Sequence, residues 1–139
     1  MNVKITIKQL GKKRDKIADA DFWLENKPLT VRELIMESVH TCVREYNSAA
    51  AKKDSPEPLS EAEMENMSEI GKIAFGINYG GKQADEETAK QVAIQAFEDG
   101  LVRIFQGEEE LAGLDDSIAV KEEDRFTFIR LAFLAGRIF

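Results

Sequence analysis

The sequence is poor in the residues that form disulfides or bind metal ions. Its 139 residues include one cysteine and one histidine, which excludes an internal disulfide and a Cys/His metal cluster. No apolar run approaches the roughly 20 residues that cross a bilayer, and the first residues lack the apolar segment of a signal peptide. We therefore expect a protein of the reducing cytoplasm, with no membrane segment, metal or cofactor.

Positive charge is in the minority. There are 19 Lys and Arg against 26 Asp and Glu, a formal net charge of −7, and residues 54–99 carry 3 basic and 11 acidic side chains. Such an acidic segment repels phosphate backbones, so we expect no nucleic-acid partner. The acidic runs at 108–110 and 122–124 lack the spacing of a calcium loop and indicate solvated surface.

What is present favours one domain over 1–139, a length that can bury a core without disulfides. Val3, Ile5 and Ile7 alternate with polar residues, which is typical of a strand with one buried face. A second β-prone stretch at 17–24 ends before Pro28. The two stretches predict a hairpin.

Capping patterns predict the helices. Thr30 and Glu33 form a capping box in which Glu33 reaches back to the amide of Thr30, and Leu29 with Leu34 would form its hydrophobic staple. An apolar stripe at helical spacing follows and fades near 49–53; it comprises Val31, Leu34, Ile35, Val39, Cys42, Val43 and Tyr46. A weaker helical pattern covers 59–75, and a third helix is predicted from Asp85 to a C′ glycine at Gly100.

The last forty residues favour extended structure. Residues 101–105 predict a short strand. The run RFTFIRLAFL from Arg125 to Leu134 predicts a central strand covered on both sides, because both of its faces carry apolar groups. A slip of one residue exchanges the faces of a strand. The inward set is therefore either Thr127, Ile129 and Leu131 or Phe126, Phe128 and Arg130.

Several segments resemble ubiquitin. Residues 1–12 (MNVKITIKQLGK) are similar to its opening strand and turn, and Ile104–Gly107, Leu114–Ile118 and the final strand to Gly136 are similar to its second half. The helix start at 29–35 resembles that of many β-grasp proteins. The likeness covers about 90 residues and leaves out roughly 50–97.

This resemblance implies an α+β fold of the β-grasp (ubiquitin-like) superfamily, a mixed sheet packed on one long helix. In this fold the first and last strands of the chain would pair with each other. The β-grasp core would comprise 1–50 and 98–139, with a helical insertion of about 45 residues at 51–97. Ubiquitin-like modifiers and sulfur carriers end in Gly-Gly, whereas here Gly136 is followed by Arg137, Ile138 and Phe139. A modifier or sulfur-carrier role would therefore require C-terminal processing, and it is the first alternative function.

The expected function is that of a non-enzymatic protein-interaction or adaptor module, with a protein partner or a second copy of the chain. In ubiquitin-like proteins the outer sheet face is the usual contact surface, and aromatic anchors dominate interface energetics. The predicted contact residues are Trp23, Phe126, Phe128, Arg137, Ile138 and Phe139. The alternative is that the additional helices bury these aromatic side chains within the same chain.

Other chemistry has weaker support. Gly76–Lys82 fits the phosphate-loop pattern G-x-x-x-x-G-K, but Gln83 stands where Ser or Thr would bind Mg²⁺; nucleotide binding is the second alternative. Cys42 lies on the apolar stripe and is expected to be a buried hydrophobic residue. His40 lies off the stripe and is expected at the surface. One mid-helix histidine offers no basis for a catalytic triad, so we expect no catalytic residues.

Overall fold

The computed structural model describes residues 1–10, 16–51, 71, 75 and 85–131. Strand β1 (Asn2–Leu10) and strand β2 (Lys16–Trp23) form the predicted antiparallel hairpin. Val3 lies opposite Phe22, and Ile5 lies opposite Ala20. Alternation along β1 therefore places its valine and isoleucines on one buried face and its lysines on the other.

Helix α1 (Val31–Ala51) begins where the capping pattern predicts. The Thr30 hydroxyl accepts from the Glu33 amide at 3.2 Å, but it also contacts the Glu33 carboxylate at 3.3 Å, so the carboxylate binds the hydroxyl and not the amide of Thr30. The predicted staple is wrong in its outer half, because Leu29 is 59% exposed while Leu34 is buried. The apolar stripe of α1 is buried as predicted at Val31, Leu34, Ile35, Val39, Cys42 and Val43, whereas Tyr46 at its end is only partly buried.

Helix α2 (Glu86–Glu98) confirms the predicted helix after Asp85. Asp85 caps it by accepting from the Glu87 amide at 3.2 Å and from the Thr88 hydroxyl at 2.6 Å. The helix ends at Gly100, whose φ of +76° suits a residue without a Cβ. Its buried side chains are small, which allows it to pack closely against α1; they are Ala89, Ala93 and Ala96.

Three further strands complete one mixed sheet. Strand β3 (Val102–Gln106) turns at Gly107 into β4 (Glu109–Leu111), and β5 (Arg125–Leu131) follows. The order is β2-β1-β5-β3-β4, with β5 parallel to β1 and antiparallel to β3. Strand β5 is central, as predicted, but the predicted cover on both sides is wrong, because Thr127 and Ile129 on its second face stay partly exposed. Strand β4 was not predicted, because its two glutamates indicated only solvated surface.

The register of β5 decides which of its two side-chain sets faces the helices. Phe126 lies beside Ile5 and Phe128 beside Ile7, and both phenylalanines have no exposed surface. The buried ring of Phe75 stands edge-on to Phe128 with the ring centroids 5.2 Å apart, a favourable aromatic geometry. The two strand phenylalanines are thus core residues.

The fold is α+β, with a five-stranded mixed sheet and two helices in the part of the chain that the structure describes. The predicted insertion at 51–97 falls largely outside the described residues, apart from most of α2 and the positions 71 and 75. Residues 132–134 of the predicted last strand also lie outside them. Neither described helix combines the length and the apolar character needed to cross a membrane.

Candidate interaction site

The predicted contact residues do not form one surface. Trp23 is 60% exposed, so it is available to a partner. Phe126 and Phe128 are fully buried on the helix side of the sheet, which corrects their interpretation as surface contacts. The ring of Phe75 packs against Phe128. The alternative interpretation, burial within the same chain, therefore holds for these two phenylalanines and not for Trp23. Arg137, Ile138 and Phe139 lie outside the described residues.

Trp23 ends β2, which is an edge strand of the sheet. Met1 and Leu24 exchange main-chain hydrogen bonds in both directions, at 2.9 and 2.8 Å. Because hydrogen-bonding direction alternates along an antiparallel strand, Phe22 and Ala20 also face β1, whereas Asp19, Asp21 and Trp23 turn their N–H and C=O groups away from it. The Thr41 hydroxyl of α1 confirms this direction by donating to the Trp23 carbonyl at 2.7 Å.

The same three residues place their side chains on the sheet face opposite the helices. The Lys4 ammonium lies 3.1 Å from the Asp21 carboxylate and 3.7 Å from that of Glu123. The hydrogen bond to Asp21 and its negative charge, followed by the charge of Glu123, raise the pKa of Lys4. The Thr6 hydroxyl donates to Asp19 at 2.5 Å.

We call this surface the β2 edge: the outward main-chain groups of residues 19–23 with the side chains of Asp19, Asp21 and Trp23. Sequence reasoning identified Trp23 and missed the two aspartates. The alternation Ala18-Asp19-Ala20-Asp21 was the available signal, since it is the pattern of a strand with one charged face. The strand pattern does not show that β2 pairs with β1 alone and is therefore an edge strand, because strand order is a tertiary property.

A second polar cluster joins the two helices. His40 of α1 lies between two carboxylates, with Nδ1 2.7 Å from Glu86 and Nε2 2.8 Å from Glu25. Arg44 binds Glu25 at 3.2 Å and Lys90 binds Glu86 at 2.9 Å. His40 is 26% exposed and paired, which corrects its interpretation as a plain surface residue.

The contacts of His40 link α1 to α2 and to the loop after β2. Both ring nitrogens of His40 already contact carboxylates, so neither is available to activate a nucleophile. The two carboxylates lie against different ring nitrogens, an arrangement that suits a bridge between elements. Burial opposes ionisation of Glu86, but hydrogen bonds from Lys90 and His40 outweigh it and lower the pKa of Glu86.

The remaining candidate groups are not brought together. Cys42 is buried, and burial, aided by Glu45, raises the pKa of its thiol, which disfavours the reactive thiolate. Among the described residues no group of three or more His, Cys, Asp or Glu side chains is arranged to hold a metal ion. Gly76–Lys82 lies outside those residues, so nucleotide binding stays a prediction, as does the processed carrier.

Comparison with known proteins adds no family to this picture: no family model, no curated protein and no solved structure matches the chain.

Proposed function

We propose that this protein is a non-enzymatic, ubiquitin-like interaction module of the β-grasp type, which binds a partner protein through the β2 edge. The element order and the parallel pairing of the first and last strands support the β-grasp assignment. Residues 51–97 would be its helical insertion. A cytoplasmic location is part of the proposal, since the single cysteine is buried and cannot form an internal disulfide.

One observation carries the proposal: a tryptophan that is 60% exposed stands at the end of an edge strand. Large aromatic side chains contribute much of the energy of protein interfaces. Among the described residues, two other large apolar side chains are exposed, Leu29 at 59% and Val92 at 43%. Leu29 lies in the loop before α1 and Val92 on α2, so neither adjoins unpaired strand backbone.

Site-specific photo-crosslinking in lysate from the source cells tests the proposal. A photoreactive phenylalanine analogue is placed at position 23 and, in matched control proteins, at positions 29 and 92. We expect a discrete adduct of one protein at position 23 that unlabelled protein competes away. Adducts of equal yield at all three positions, or none at position 23, would contradict the proposal.

A charge substitution provides the second arm. We expect Trp23→Glu to abolish recovery of the crosslinked partner without changing the midpoint of urea unfolding, because the side chain is mostly solvated. Val92→Glu is the matched control and should leave recovery unchanged. Loss of recovery in both variants would indicate a general effect of added negative charge and not a site at Trp23.

A further inference from the structure

The β2 edge offers unpaired strand backbone. Asp19 and Asp21 each turn one N–H and one C=O away from β1, and no described residue pairs with them. The carbonyl of Trp23 is already bound by Thr41, so that end of the edge is closed by α1. An exposed row of strand donors and acceptors is a template for an added strand.

The side chains of this edge select for charge. Asp19 and Asp21 are both exposed and lie on the same face, two positions apart. Glu123 adds a third carboxylate near Asp21, and Lys4 is the cation that lies between them. Opposite charges stabilise directly opposed cross-strand pairs, and like charges destabilise them.

These charges decide between the possible occupants. A second copy of β2 added antiparallel would bring Asp19 and Asp21 against the same carboxylates of the other copy on one face. A helical partner would leave the outward main-chain groups unpaired. A strand with basic side chains opposite the two aspartates satisfies both the backbone and the charges.

The other face of the added strand meets small and apolar groups. Ala20 faces the helix side between the two aspartates and is only half-buried, so apolar residues of the partner fit beside it. Trp23 provides a flat ring at the end of the strand, where the stem or the charge of a Lys or Arg side chain can lie against it.

We propose that the β2 edge binds an extended protein segment in which Lys or Arg alternates with apolar residues. This inference rests on the proposed function and names the class of partner. The segment extends the sheet by one strand, with its basic residues opposite Asp19 and Asp21.

A synthetic probe tests the inference with the full chain. The probe is a capped peptide of about eight residues in which lysine alternates with valine, a length typical of a strand. Two control peptides carry N-methyl groups, one on every lysine amide and one on every valine amide. Only one set of amides faces β2, the lysine set for antiparallel addition and the valine set for parallel addition.

We expect one methylated peptide to bind like the parent and the other to bind at least about tenfold more weakly, because its hydrogen bonds are blocked. Amide hydrogen exchange should slow at Asp19, Asp21 and Trp23 on binding, while the amides of Ala20 and Phe22, which face β1, stay protected throughout. Equal binding of all three peptides would overturn the inference. Slow amide exchange at Asp19 and Asp21 in the peptide-free protein would also overturn the inference. Exchange that is slow at every protein concentration would mean that the chain itself covers the edge, and exchange that slows as the concentration rises would indicate self-association.

Charge substitutions separate a specific strand from general attraction. We expect Asp19→Asn with Asp21→Asn to weaken probe binding about tenfold. The control, Glu108→Gln with Glu109→Gln, removes the same charge from the exposed turn before β4 and from the first residue of β4, and it should leave binding unchanged. An equal loss in both proteins would overturn the inference. If a partner crosslinks at position 23 but the probe protects no amide, the strand inference fails and the proposed function stands.

Discussion

The two faces of the sheet differ in what each residue type does there. On the helix side, Ile5, Ile7, Phe126 and Phe128 are buried almost completely. On the opposite side, the same strands present polar and charged groups that remain partly exposed, among them Lys4, Thr6, Arg125 and Thr127. Since both faces are built from the same strands, the register, and not the composition of a strand, determines which side chains stabilise the fold.

The largest test of this difference compares neighbours on β5. We expect Phe128→Ala to lower the free energy of unfolding by about 3–5 kcal/mol, because it leaves a cavity beside Phe75. Ile129→Ala, on the other face, removes a half-buried side chain and should cost about 1 kcal/mol. Equilibrium urea unfolding measures both, and similar losses would contradict the assignment of the two faces.

Two hydroxyl groups of α1 on the helix side of the sheet differ in their hydrogen bonding. The buried Ser38 hydroxyl has no hydrogen-bond partner among the residues that the structure describes, whereas the Thr41 hydroxyl donates to the Trp23 carbonyl. We expect Ser38→Ala to stabilise the protein by about 1 kcal/mol and Thr41→Val to destabilise it by about the same amount. Thermal and urea unfolding measure the two variants side by side, and effects of the same sign would contradict this description of the interface.

The polar cluster around His40, which joins the two helices, is expected to have a smaller, pH-dependent effect on stability. The pKa of Glu86 is lowered below its ordinary value of 4.5 because the hydrogen bonds from Lys90 and His40 outweigh the opposing effect of burial. A carboxyl whose pKa falls on folding contributes stability above its unfolded pKa and loses it as the pH falls through the folded one.

We therefore expect Glu86→Gln to cost up to about 1 kcal/mol at neutral pH, a value limited by partial exposure. The difference from the parent protein should shrink as the pH falls below 4.5 and vanish once the pH is below the folded pKa of Glu86. Glu87→Gln is the control, because the Glu87 side chain is 79% exposed and its carboxylate comes no nearer than 3.9 Å to the Lys90 ammonium. Unfolding curves across this pH range test it, and a difference that grows on acidification would contradict the sign.

Local patterns in the sequence were sufficient for most of the secondary structure. The alternation of Val3, Ile5 and Ile7 and the cap at Thr30 act within a few residues, so they can be read directly. The pairing of β1 with β5 was predicted through the ubiquitin likeness and is confirmed. In contrast, the partners of His40 lie 15 and 46 positions away, where no local pattern points to them.

The candidate site was only partly predictable for the same reason. Trp23 was selected, with the other aromatic residues of the end strands, because aromatic anchors dominate interface energetics. Phe126 and Phe128 were misassigned as contact residues because the pattern of β5 permits either set of side chains to face the core. Only the observed register of β5 against β1 and β3 resolves this choice.

The smallest expected effect on stability lies on the open face, at Lys4. Its ion pair with Asp21 is solvated, so salt screens it and Lys4→Gln should leave the unfolding midpoint unchanged near neutral pH. Since the pKa of Lys4 is raised on folding, any contribution is present at neutral pH and disappears only as the pH rises above about 10.5.

The same substitution should nevertheless change binding. Removing the ammonium of Lys4 leaves the carboxylate of Asp21 without its cation, so we expect the lysine-rich probe to bind a few-fold more tightly to the Lys4→Gln protein. Lys121→Gln is the control, because Lys121 is exposed in the loop before β5 and makes no ion pair with a described residue. Tighter binding only in the Lys4→Gln protein, at unchanged stability, would show that charge governs recognition on the sheet face opposite the helices, whereas burial governs folding on the helix side. An equal gain in both proteins would show that the effect depends only on net charge.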